Sequence, residues 1–332
     1  CYLRGFGTEL DPTLGVSILI DLSENNYAIS QYQLGLCYLK GEGVDIDYGK
    51  AVEWLTPAAD QGNTFAQYHL GRCYQCGEGV KKNNTRAFGL YAAAAEDGLV
   101  AAQMSLGHCY RYGIGVEPAY DLIVQWYTKA AESGNVDAQL CLANFHCSES
   151  GFHNHGLALP WYTRLSDQGH PESQCILAGM YLDGTGVAMD KVRATALYTK
   201  SANQGNMYAQ NMLGRCYQLG WGVSKDLPLA IHYYQLAADQ GLDLAQNNLG
   251  CCHLDGVGVT KDARMAVTLF TAAAEQANAD AQLHLARCYE RGIGVKKECA
   301  KAYEWYCKAA DQGQAEARAR AESMKAKGCL VM

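Results

Sequence analysis

One dipeptide recurs at a fixed interval and constrains the chain more than anything else in it. Cys1-Tyr2, Cys37-Tyr38, Cys73-Tyr74 and Cys109-Tyr110 are each 36 residues apart. The register continues at Phe145-His146, loses one residue before Met180-Tyr181, and resumes at Cys216-Tyr217, Cys252-His253 and Cys288-Tyr289. Two further columns keep step with it: Leu55, Tyr91, Tyr127, Tyr162, Tyr198, Tyr234, Phe270 and Tyr306, and Gly62, Gly98, Gly134, Gly169, Gly205, Gly241, Ala277 and Gly313. By length alone, 332 residues suggest two or three globular domains. Self-similarity at such a period overrides that expectation and points to a stack of short supersecondary units.

Residues 63–98 serve as the type unit. Ala66, Leu70, Cys73 and Tyr74 fall at helical spacing, so Phe65–Gln75 is expected to be an amphipathic helix A. Gly77-Glu78-Gly79-Val80 ends it, a glycine supplying the left-handed cap. After a polar link, Lys81–Asn84, a second helix B is expected over Thr85–Glu96, with Ala87, Leu90, Tyr91, Ala94 and Ala95 on one face, and Gly98 stops it. Gly71 and Ala66 are small where two helix axes must approach closely. Helices this short cannot bury their apolar faces alone and do so by stacking on neighbours.

Leu70-Gly71-Arg72-Cys73-Tyr74, the Gly-x-Gly-Val turn and the closing Ala94-Ala95-x-x-Gly98 resemble the Sel-one-like repeat, a relative of the tetratricopeptide repeat, and the resemblance covers nearly the whole chain. It implies an all-α, right-handed superhelical solenoid of helix-turn-helix units, about eight and a half of them, and a scaffolding or adaptor role without catalytic activity. The expected organisation is a partial repeat over residues 1–26, the chain beginning inside a unit, then eight repeats over 27–313 and a capping helix with a tail over 314–332. Residues 135–169 depart from the pattern: Ala143-Asn144-Phe145-His146-Cys147 replaces Gly-x-Cys-Tyr, and the turn lacks Gly-x-Gly-Val. A local distortion is expected there, as a bend or as a site.

Composition removes several alternatives. A net charge of −7 argues against a general nucleic-acid binder, which needs a basic face to neutralise phosphates. No apolar run approaches membrane-spanning length. The Gly-x-Gly turns follow helices and recur at Gly41, Gly77, Gly113, Gly184, Gly220, Gly256 and Gly292, so they read as caps and not as phosphate loops. Fifteen cysteines suggest disulfides, and bacterial secreted members of the resembled family pair one cysteine of helix B with one of the next helix A. Here the column cysteines occur once per repeat, and equivalent helices lie roughly 8–10 Å apart, beyond disulfide reach. They read as small buried hydrophobes and reduced thiols, which points to the cytoplasm. The lone Cys73-x-x-Cys76 has no second pair at zinc-ribbon distance.

Three groups of residues are candidates for function. In the degenerate unit Cys141, Cys147, His153, His155 and His170 gather within thirty residues, the ligand types zinc prefers, and an enzyme built there would use them as ligands or catalysts. No cofactor is otherwise expected. At the end, Cys329-Leu330-Val331-Met332 matches a C-a-a-X prenylation box after Lys325 and Lys327, giving an alternative in which a lipid on Cys329 makes peripheral membrane contact. Repeats followed by a prenylated tail resemble the fungal chitin synthase activators, although almost no linker precedes the box; that likeness implies an activator of a membrane enzyme. The third group is a concave groove expected along the A helices for protein partners. The residue between Gly and Cys in each Leu-Gly-x-Cys-Tyr gives Leu36, Arg72, His108, Asn144, Gly179, Arg215, Cys251 and Arg287, and four residues on the same face shows Tyr112 and Arg291. Arg72, His108, Tyr112, Arg215, Arg287 and Arg291 are the expected partner-binding set, since arginine beside aromatics and amides suits peptide recognition.

Overall fold

The computed structural model describes residues 11–148 and 154–326. Every regular element among them is an α-helix, and the chain divides into two compact units, residues 1–161 and 162–332. The first contains α1 (Pro12–Glu24), α2 (Ala28–Lys40), α3 (Tyr48–Asp60), α4 (Thr64–Cys76), α5 (Asn84–Glu96), α6 (Val100–Tyr112), α7 (Tyr120–Glu132), α8 (Val136–Cys147) and the start of α9 (His155–Asp167). The second holds the rest of α9 and then α10 (Pro171–Asp183), α11 (Lys191–Asn203), α12 (Met207–Leu219), α13 (Leu227–Asp239), α14 (Asp243–Asp255), α15 (Ala263–Glu275), α16 (Ala279–Arg291), α17 (Cys299–Asp311) and α18 (Ala315–Ala326). Even-numbered helices are A helices and odd-numbered ones B helices. From α1 to α8, and again from α10 to α18, each helix packs on its sequence neighbour, the arrangement of a helical solenoid.

The type unit shows why these residues form these helices. Helix α4 starts one residue before the periodicity predicts because Asn63 caps it, its Oδ1 accepting from the Ala66 amide at 2.9 Å. Asn83 does the same for α5, accepting from Arg86 N–H at 3.0 Å, so Asn84 is helical rather than part of the link. Asp47, Asp190, Asp226 and Asp262 repeat this cap at other B helices. At the far end of α4, Gly77 takes a φ of 80°, and its amide donates back to the Cys73 carbonyl at 2.8 Å.

Ala66, Leu70, Cys73, Ala87 and Tyr91 bury together, and Ala94, Ala95, Ala102 and Leu106 begin the next cluster. Each such leucine contributes roughly 1.5–3 kcal/mol of burial. The helical glycine of Leu-Gly-x-Cys-Tyr makes room for the aromatic column: a Cβ on Gly71 would lie 2.8 Å from the Tyr91 ring, and on Gly107 2.4 Å from Tyr127. The Tyr91 hydroxyl then reaches Gln75 at 2.7 Å, a bond repeated at Tyr234–Gln218 and Tyr306–Glu290.

One contact ties each repeat to the next, and another joins the two helices within a repeat. The second glycine of each turn sits on the start of the preceding B helix, so that a Cβ on Gly79 would fall 2.0 Å from the Tyr48 carbonyl oxygen, and on Gly294 2.1 Å from that of Ala263. In the second unit a ladder of glutamines joins A-helix starts to B-helix ends, with Nε2–Oε1 distances of 2.8 Å for Gln204–Gln174, 2.7 Å for Gln240–Gln210, 3.0 Å for Gln276–Gln246 and 2.8 Å for Gln312–Gln282. Helix α18 closes the second unit by burying Ala317, Ala321 and Met324 against Ala302, Tyr306 and Ala309.

The degenerate repeat departs from its neighbours at one point. Helix α8 keeps its buried Leu142, Ala143 and Phe145, but its C-cap is Ser148 in extended conformation, where the other A helices of the repeats have left-handed glycine. Asn154 N–H still donates to the His146 carbonyl at 2.9 Å, the bond that Asn83 makes to Tyr74 in the type unit.

Candidate partner-binding face

The A helices carry the residues singled out by the spacing, and their surroundings differ sharply. Arg72 is exposed on α4 and lines a cleft of about 250 Å³ with Lys40, Tyr48, His69 and Glu78. Burial, followed by the positive charges of Arg72 and Lys40, holds the His69 imidazole at about 4, so it is neutral at physiological pH. His108 stacks against Tyr112 at 6.2 Å and meets Tyr127 edge-on at 5.6 Å, and its pKa is also lowered, by burial and then by Arg111. Tyr112 is 63% exposed at the end of α6, under the Arg111 guanidinium at 5.3 Å.

In the second unit Arg215 lies over the Trp221 ring at 5.3 Å, and its Nη1 touches the Met212 sulfur at 3.9 Å. Arg287 is ion-paired with Glu316 of α18, so its partner is supplied by the chain itself. Arg291 ends α16 and is exposed. Among the described residues, neither Arg72 nor Arg215 has a carboxylate within ion-pair distance.

Of the metal-type residues, Cys147 and His155 come together, Sγ to Nδ1 at 3.4 Å, while Cys141 packs half-buried beside Ile123 and Tyr127. His153 and Cys329 lie outside the described residues. His170 instead caps α10, its Nδ1 accepting from the Ser173 amide. No group of three or more potential metal-binding side chains occurs among the described residues. The thirteen described cysteines form no disulfide with one another. Burial raises Cys73, Cys109, Cys252 and Cys288 to about 11, which leaves them protonated and poorly nucleophilic. No described helix is long and apolar enough to cross a membrane.

Sequence reasoning missed several contributors to this face. Arg111 stands one turn on from His108, over Tyr112 and, at 5.6 Å, over Phe145. Phe65, at the start of α4, is 52% exposed and stacks on Tyr32 at 5.8 Å, and Tyr208 occupies the equivalent position on α12. The signal was available: Phe65 and Tyr208 stand seven residues before Arg72 and Arg215, two helical turns along the same face.

The Sel1 repeat model matches residues 28–63, 64–99, 100–135, 136–170, 171–206, 208–242, 243–278 and 279–314. Comparison with curated protein sequences found no match. Among solved structures, a Sel1 repeat protein from Oxalobacter formigenes is 31% identical, aligned over 95% of this chain and 93% of its own, with a TM-score of 0.82. A protective antigen present in uropathogenic Escherichia coli strains, with an SLR fold, is 32% identical over 100% of this chain and 79% of its own, with a TM-score of 0.77. Eight consecutive matches in register with the helix pairs, and two structural relatives above 30% identity, establish that this chain belongs to the Sel1 repeat family.

Proposed function

We propose that this chain is a non-catalytic, intracellular scaffold that binds a partner protein along its A-helix face. Sel1 and tetratricopeptide-like repeats are in general protein-interaction scaffolds. The observation that carries the reading is the contrast between a packed, inert core and an A-helix face where Arg72 and Arg215 have no carboxylate partner among the described residues, Phe65 is exposed against Tyr32 and Tyr112 is exposed beside Arg111. Arginine and aromatic side chains are the groups that anchor protein interfaces. The buried thiols, protonated at neutral pH, favour a binding role over a nucleophilic one. Affinity purification with mass spectrometry tests the reading, comparing the wild-type chain with an Arg72→Glu, Tyr112→Ala, Arg215→Glu variant. The same partners recovered at equal yield from the variant would refute it. A second reading rests on the C-a-a-X sequence at Cys329: if Met332 is the natural C-terminus, the scaffold is tethered to a membrane and serves a membrane enzyme. Fractionation of cells producing the natural terminus, with and without Cys329→Ser, decides between tethered and untethered forms.

A further inference from the structure

Arg287 and Glu316 are separated by 29 residues, and the contact follows from the repeat: the residue between Gly and Cys on one A helix faces the residue near the start of the next A helix. The same offset links Cys251 to Asp280, whose charge acts on the Cys251 thiol. Applied to the other two arginines of the column, it leads from Arg72 to Ala101 and from Arg215 to Leu244. Neither can supply a carboxylate, and no other described residue does so within ion-pair distance. Three arginines thus occupy one register position, and only the last has its anion supplied by the chain.

We propose that Arg72 and Arg215 each bind a carboxylate side chain of an acidic partner segment, and that Glu316 is the chain's own occupant of the third such slot. The proposal rests on the A-helix face being the partner-binding surface and adds the chemistry of what binds there. Neighbouring groups suit that ligand. At Arg72 the second cation is Lys40, and Phe65 stands two turns away to receive an apolar side chain. Glu78 lines the same cleft, and Glu42 lies 3.7 Å from Lys40, so the site discriminates by where a charge is placed and not by bulk attraction. At Arg215 the stack on Trp221 holds the guanidinium, while Tyr208 is exposed two turns away on the same helix. Because the whole chain carries −7, an acidic peptide gains nothing from the long-range field and binds only where arginines are locally unpaired.

The test is fluorescence polarisation of a fluorescein-labelled decapeptide of alternating glutamate and serine, with a lysine-for-glutamate peptide as control, at about 50 mM salt where exposed charges are weakly screened. Arg72→Gln and Arg215→Gln each remove one of two separate sites and are expected to lower the peptide bound at saturation to about half, and the double variant to abolish binding. Arg287→Gln should change nothing, because Glu316 already fills its slot. Glu316→Gln should strengthen binding by exposing Arg287, while buried Ala317, Ala321 and Met324 keep α18 docked, as helix content by circular dichroism checks. Equal binding of the lysine peptide, equal loss in Arg287→Gln and Arg72→Gln, or no gain in Glu316→Gln would each overturn the proposal. Should cellular partners be lost with Tyr112→Ala while the arginine variants bind the glutamate peptide normally, the scaffold reading stands and the carboxylate slots fall.

Discussion

Replacing Gly79 by alanine tests the inter-repeat packing more directly than any other single change. Gly79 has a φ of 69°, and a non-glycine residue in the left-handed region costs roughly 1–2 kcal/mol. The added Cβ would also lie 2.0 Å from the Tyr48 carbonyl oxygen, 2.2 Å from its carbon and 2.7 Å from the Gly49 nitrogen. Those atoms are backbone at the start of α3 and cannot rotate away. An ordinary contact of 3.4 Å requires the turn and α3 to separate by about 1.4 Å, which opens the junction between two repeats; overpacking of this kind costs about 1–3 kcal/mol. The sum is about 2–5 kcal/mol. Gly98→Ala is the control, with a φ of 86° and nothing within 4 Å of the added atom, so only the first cost applies. Urea unfolding followed by circular dichroism at 222 nm measures both. Gly79→Ala is expected to lose at least about 1 kcal/mol more than the control and to broaden the transition, because weakening one junction of a linear array lowers its cooperativity. Equal losses in the two variants would refute the argument that the second glycine fixes repeat to repeat.

Three further outcomes follow from named contacts. Ala277 occupies the helix-ending glycine column with a φ of 65°, so Ala277→Gly should raise stability by up to about 1 kcal/mol in the same urea assay, strain relief exceeding the entropy glycine adds to the unfolded chain. His69 has its folded pKa lowered from 6.5 to about 4, so the unfolded chain binds more protons between those values and stability falls as pH drops through that window. After allowance for partial solvent screening this is about 1–2 kcal/mol, and thermal melts of His69→Gln from pH 7 to 4.5 should show a shallower acid loss than the wild type. A double-mutant cycle on Gln210 and Gln240, joined at 2.7 Å, should return a coupling of about 0.5–1.5 kcal/mol by chemical denaturation, and a value near zero would remove the ladder from the list of stabilising contacts.

What could be read from the sequence was whatever repeats inside one unit. Leu70, Cys73 and Tyr91 announce a helix pair because 3.6-residue spacing is local, and Gly77 announces a cap because the left-handed position closes the same helix. Contacts between residues far apart in the sequence leave no such local trace. Gly79 read as part of a cap, yet its tightest constraint is Tyr48, 31 residues earlier and in another repeat. The glutamine rungs span 30 residues, and glutamine at the end of a B helix looks like any solvated side chain until its partner is in place. Arg287 was grouped with Arg72 and Arg215 because all three share a column; only the register between successive A helices shows that Glu316 occupies one of them. Asn83 is legible as a cap, and placing it in the polar link Lys81–Asn84 starts α5 one residue late.

The fixed seat of Gly79 on Tyr48 has a consequence for how such a chain changes over generations. With each turn locked onto the preceding unit, adding or removing a residue inside a helix would rotate every later side chain by about 100° relative to its neighbours. Growth and shrinkage are then quantised: whole modules can be duplicated or excised, because each new boundary reproduces an old one, whereas single-residue changes are confined to links and helix ends. The one length change in the column register, between Phe145 and Met180, obeys this. It is taken up at the C-terminal end of α8, which has 12 residues where the other A helices of the repeats have 13 and ends at Ser148 without a left-handed glycine, while the link to α9 keeps seven residues like that between α6 and α7.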